Sequence, residues 1–325
     1  MIHYTGMRFN NFHLIIRIPP IMRNSRSYIT YIAGLILYGS NGIVAGFSSL
    51  SSLELVFLRT LFGAVFLTCI FLLTGHRFSC SAHKKDTLLI ALSGTAMAAD
   101  WLLLFEAYSR IGVSLSIIIN YCGPIIVIAL SPLFFKERLT VRKICALLFA
   151  MFGAVLVSGS AVISGFDIIG LICAILSAFS YSAIIITNKK ALHIAGMENA
   201  TLQLLFTLAA VTVFFLFRQD FMIQFSNSDI IPVLWLGLIN TGLASWLYFS
   251  SIGSLPAWSV SILGYLEPLS AVFLSAMILK EVMQPLQVVG AVFILGSTLS
   301  VLLIPNTVGQ KSACKANDCD YAAPR

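Results

Sequence analysis

Charge is what this sequence has least of. Asp, Glu, Lys and Arg supply 10% of its 325 residues, hydrophobic residues supply 58%, and mean hydropathy is +0.94. A soluble domain carries about 25% charged residues. Too few are present to clothe a water-facing surface, so the chain reads as an integral membrane protein. Histidine is as sparse. His3, His13, His76, His83 and His193 fall in tails or loops. No nucleophile motif and no phosphate-cradling glycine loop accompanies them, so an enzyme, a cofactor and a metal are not expected. The seven cysteines are scattered, and Cys314 and Cys319 have no histidine or further cysteine nearby. That argues against a zinc site and against a disulfide framework. Residues 1–27 lack the pattern of a cleaved signal: Arg17 interrupts the apolar stretch and Pro19 and Pro20 break it.

What is present is long apolar runs. About 20 such residues cross a bilayer as a helix. The sequence predicts ten, near 28–50, 54–74, 87–108, 112–135, 141–159, 167–187, 199–217, 230–252, 257–279 and 285–304. Residues 1–27 and 305–325 are left as tails. The net charge of +7 would suit nucleic acid, but the basic residues lie between the runs, where they act as topology signals. Sixteen fall on the side of both tails, three on the other (Arg110, Arg218 and Lys280), and Arg59 lies within a run. Both termini are therefore expected in the cytoplasm, and no nucleic-acid partner is expected.

The chain also repeats. NYCGPIIVIALSPLFFKERLT from Asn120 lies over GYLEPLSAVFLSAMILKEVMQ from Gly264 at a constant offset of 144. Tyr121 falls on Tyr265, Pro124 on Pro268, Lys136 on Lys280 and Glu137 on Glu281. The expected architecture is all-α, with ten membrane helices in two five-helix repeats, 28–159 and 167–304. Five is odd, so the second repeat runs inverted. Inverted repeats are a transporter architecture with its site near the midplane.

Ionisable groups at that depth are functional candidates by default. Glu267 falls about ten residues into the ninth run, near the bilayer centre at 1.5 Å per residue. Asp100 lies in the third run with no evident basic partner in sequence. Both are candidates for substrate binding or proton coupling, with Tyr121, Tyr265, Trp101, Trp246 and Asn120 completing a pocket; Asn41 and Asn240 lie nearby. Pro124 and Pro268 should break helices four and nine at matching depths. Arg59 and Glu106 fall at similar depths and are expected to form a structural ion pair.

The paired YCGPIIVIALSPLFFKERLT and YLEPLSAVFLSAMILKEVM, each followed by a run rich in small residues (FAMFGAVLVSG, GAVFILGSTLS), resemble the EamA branch of the drug/metabolite transporter superfamily. So does Arg59 in VFLRTLFGAV. Gly123 stands where the second half has Glu267, so the halves are not equivalent there. The resemblance implies a secondary transporter of the bacterial inner membrane, its partners a small-molecule solute and the lipid bilayer. Export of an amino acid or related compound is the reading it favours. Import or exchange of a nucleoside- or cofactor-like metabolite is the alternative within transport. From another class, an intramembrane enzyme acting on lipid would need paired groups at one depth, which only Arg59 with Glu106 approaches. With no nucleotide-binding motif, movement should run on a gradient.

Overall fold

A computed structural model describes residues 20–303 except 81, 138, 158–166, 218–224, 279 and 281–283. The expected tails lie almost wholly outside the described residues, as do Arg218 and Glu281. The first apolar runs become α1 (Pro20–Gly39), α2 (Asn41–Ala45), α3 (Ser52–Leu73) and α4 (Lys84–Ile111). The fourth run divides into α5 (Val113–Asn120) and α6 (Gly123–Phe135), followed by α7 (Val141–Val157). After the gap come α8 (Ile168–Lys190) and α9 (Gly196–Leu216). The eighth run is composite: a 3-10 turn at Asn227–Asp229, α10 (Ile230–Leu234), a π-helical stretch at Trp235–Leu243 and α11 (Ala244–Ile252). The ninth divides into α12 (Ala257–Leu263) and α13 (Leu266–Ile278), and α14 (Pro285–Leu303) follows. No strand occurs among the described residues.

Among the described residues, eight stretches are long and apolar enough to cross a membrane: Ser25–Ala45, Leu53–Leu73, Lys84–Ile111, Leu115–Phe135, Ile168–Lys190, Gly196–Leu216, Asn227–Ile252 and Ala257–Ile278. The sequence led us to expect ten. The two remaining runs are described over shorter stretches, α7 over 17 residues up to the undescribed 158–166 and the apolar part of α14 over Pro285–Ser300.

Helix ends explain much of the segmentation. Ser51 and Glu54 form a reciprocal capping box at the start of α3. Asp167 caps α8 by accepting from the N–H groups of Ile169 and Gly170. α6 ends at Lys136 with φ of 55°, and its repeat counterpart Lys280 has φ of 57°. These are left-handed conformations that cost a non-glycine residue about 1–2 kcal/mol. That both halves adopt one at the same register is a structural echo of the sequence offset. The proline pair behaves similarly. Each proline lies in the first turn of its second segment, where its missing N–H is an orphan in any case. Helices four and nine are thus interrupted at residues 121–122 and 264–265 and restart at the prolines.

Packing brings distant segments together. α4 lies along α8 and α9, α7 along α14, α3 along the π-helical stretch, and α1 along α11 and α13. α7 meets α14 backbone to backbone: a Cβ added at Gly153 would stand 2.6 Å from the Gly290 carbonyl oxygen, and one at Gly290 2.6 Å from that of Gly153. Small residues permit this approach where lipid offers no hydrophobic drive. Phe149 and Phe293, 144 positions apart, stack there with centroids 5.7 Å apart. We call the end of the bundle where α1 starts and α14 finishes the terminal face.

Candidate functional site

The interrupted helices meet at their breaks. The Tyr265 hydroxyl donates to the Tyr121 carbonyl oxygen at 2.7 Å, and the two rings stand edge to face with centroids 6.0 Å apart. Glu267 follows at once on α13. It is half-buried, and no donor reaches its carboxylate among the described residues. Around it lie Tyr31, Tyr38, Tyr108, Tyr121, Tyr181 and Tyr248, all within reach of its field. Its charged neighbours are Asp100 and Arg59. Tyr31 and Tyr38 are tied elsewhere: Tyr31 donates to the Val260 carbonyl at 3.1 Å, and Tyr38 shares a 2.8 Å bond with Ser245.

Asp100 differs from Glu267 in being satisfied. It is 6% exposed, and its Oδ1 accepts from Asn120 Nδ2 at 3.0 Å and from Ser177 Oγ at 2.7 Å. Asn120, Asp100 and Ser177 come from α5, α4 and α8, so this knot pins three helices. Trp101, next along α4, carries the Arg59 guanidinium over its ring, 4.8 Å from the centroid. Arg59 also donates from Nε to Thr241 Oγ1 at 2.9 Å, and that threonine belongs to the π-helical stretch. Such widened turns recur at functional sites.

The expected Arg59–Glu106 ion pair is not formed. Glu106 is exposed and accepts from Arg110 one turn away at 2.6 Å, while Arg110 also reaches Asp167 at 3.2 Å. Counting along the helices gave the two residues similar depths, but Glu106 lies on an exposed face of α4 and meets the nearer Arg110. With it goes the only pair that favoured lipid chemistry.

Of the residues singled out in sequence, the structure joins Asp100 to Asn120, Tyr121 to Tyr265, and Arg59 to Trp101. Trp246 packs at the edge of the main core and touches none of them as a polar partner. Asn240 donates to Leu37 O, Ser40 Oγ and Asn41 Oδ1 at 2.8–2.9 Å, tying the π-helical stretch to the end of α1. Sequence reasoning missed Tyr31, Tyr38, Tyr181, Tyr248, Ser177 and Thr241. A signal existed: a tyrosine within an apolar run needs a partner for its hydroxyl.

Similarity to known proteins agrees with this picture. Residues 25–159 and again 168–303 match the EamA-like transporter family. Among curated relatives, the "uncharacterized transporter YxxF" of Bacillus subtilis (strain 168) is 26% identical over 255 residues, covering 78% of this chain and 81% of that one. An "uncharacterized transporter" of Haemophilus influenzae is 30% identical over 190 residues, 56% of this chain and 58% of its own. The protein PecM of Dickeya dadantii is 24% identical over 66% of this chain and 72% of its own. A solved crystal structure shares the fold with a TM-score of 0.73 at 15% identity, over 86% of this chain and 98% of the other. Two family matches in tandem cover most of the sequence, and the chain belongs to the EamA-like transporter family.

Proposed function

We propose that this chain is a secondary carrier that exports an amino acid or related small metabolite across a bacterial inner membrane by alternating access, coupled to protons through Glu267. In this reading ten helices cross the bilayer as two inverted repeats, 28–159 and 167–304, with both tails cytoplasmic. Contacts between positions related by the 144-residue offset, Tyr121 with Tyr265 and Phe149 with Phe293, favour a pseudo-two-fold axis, because only residues near such an axis meet their own counterparts. The observation that carries the proposal is Glu267. It is an ionisable group without a hydrogen-bond donor among the described residues, set among tyrosines where two interrupted helices meet. A carboxylate left open at membrane depth is costly unless water, a proton or a solute visits it. The outward direction and the amino-acid class follow the family resemblance.

The test is flux in liposomes. Purified protein should carry radiolabelled amino acids under an imposed pH gradient, and Glu267→Gln should insert normally yet lose that gradient dependence. Wild-type pH-driven flux in Glu267→Gln removes the coupling assignment. Loading solute on either side of oriented vesicles reads the direction.

A further inference from the structure

Arg59 presents a cation with no carboxylate paired to it among the described residues. The residue is 9% exposed and lies about two turns into α3. Its Nε is held by Thr241 and its flat face by Trp101. Nη1 and Nη2 have no acceptor among the described residues, and no carboxylate comes within 4.0 Å. The acids near enough in sequence or space to neutralise it are otherwise disposed. Glu106 is taken by Arg110, and Asp100 by Asn120 and Ser177. Glu267 is felt by Arg59 at a distance without a hydrogen bond.

We propose that the Nη fork of Arg59 is the seat of a carboxylate on the transported solute. A guanidinium fixed at Nε and stacked on an indole keeps its two remaining donors parallel, which matches the two oxygens of a carboxylate. Lysine offers a single point charge and would not make that match. A phosphate dianion fits less well, because Arg59 supplies a single cation and the other ionisable groups coupled to it or to Glu267 are acidic. A solute bearing both a carboxylate and a cationic group answers both sides: Arg59 takes the first and Glu267 the second. This assignment rests on the carrier reading above and adds to it the residue that distinguishes acids from their neutral or cationic relatives.

The experiment compares matched pairs that differ in the carboxylate alone: phenylalanine with phenethylamine, leucine with isoamylamine, histidine with histamine. Each is titrated into the purified full-length protein and followed by tryptophan fluorescence and thermal shift, with inorganic phosphate as a further probe. For at least one pair the wild type should bind the acid about tenfold or more tightly than the amine, the size of one charge-assisted hydrogen bond. In Arg59→Gln the ratio should fall to about one with the amine's affinity unchanged. Should that variant fail to insert, Arg59→Lys serves instead, and its acid affinity should fall while the amine's holds. No preference in the wild type, no binding by any acid, a preference that survives Arg59→Gln, or tighter binding of phosphate each overturns the proposal. Liposome flux separates the two readings. Acid preference through Arg59 without movement of any solute leaves the seat and sinks the carrier. Movement of amines in place of acids sinks the seat and leaves the carrier.

Discussion

The two segments that begin the interrupted helices, α5 and α12, are related by the 144-residue offset and differ in burial. All seven side chains of α12 are buried. Of those described in α5, Ser116 is buried and residues 115 and 117–120 are only partly so. The clamp on α12 is visible at the terminal face. Glu137, 7% exposed, accepts from the backbone N–H of Ala257 at 2.8 Å and of Trp258 at 3.4 Å. Lys189 donates to the carbonyls of Ile252 and Leu255 across the turn that leads into α12. Lys143 stands over the Trp258 ring, 4.8 Å from its centroid. Glu137 thus satisfies N–H groups that the start of α12 leaves free, Lys189 satisfies carbonyls at the end of α11 and in the turn, and Lys143 covers the Trp258 ring. The lesson is that positions related by the repeat need not share an environment.

The strongest way to break the comparison is Glu137→Ala. It leaves two buried N–H groups without an acceptor, which costs about 2–4 kcal/mol. Melting temperature should fall, and a cysteine at Ile262 should gain reactivity towards a water-soluble thiol reagent. In a background free of native cysteines, Ile118→Cys should label faster than its counterpart Ile262→Cys. Equal labelling of the two would abolish the contrast between α5 and α12.

A smaller effect sharpens the asymmetry at the breaks. Tyr265→Phe removes a hydroxyl donor and should cost about 1 kcal/mol in thermal stability. Tyr121→Phe should leave this contact intact, because Tyr121 contributes its backbone carbonyl. Equal losses in both variants would show that the rings, and not the hydrogen bond, hold the breaks together.

The smallest concerns the opposite face. Hydrogen bonds from the backbone N–H of Gly170 and Ile169, with the Arg110 guanidinium, hold the Asp167 carboxyl below its ordinary range. A group depressed in the folded state adds stability above its unfolded pKa and loses it as pH falls through the folded value. Acidification should therefore loosen this capped helix start, and Asp167→Asn should lose that part of the acid sensitivity. Identical melting curves for the two proteins from neutral to acid pH would set the cap's contribution at nothing measurable.

Much of this was legible from the residues. Scarce charge and long apolar runs dictate a membrane helical chain, because hydrocarbon admits backbone only where its hydrogen bonds close internally. The 144-residue offset and its prolines placed the helix breaks, since proline at a restart needs no N–H partner. Glu267 stood out by chemistry alone. What counting along the chain cannot supply is rotation and neighbourhood. The Arg59–Glu106 expectation failed for that reason: two residues at one depth point wherever packing turns their helices. The tyrosine surround, the Ser177 and Thr241 contacts, and the choice of which counterpart helix start is sealed all join residues from distant segments. Local sequence determines what a helix must hide from lipid and at what level. Only the packed bundle decides which groups then face one another, because that depends on contacts from several helices at once.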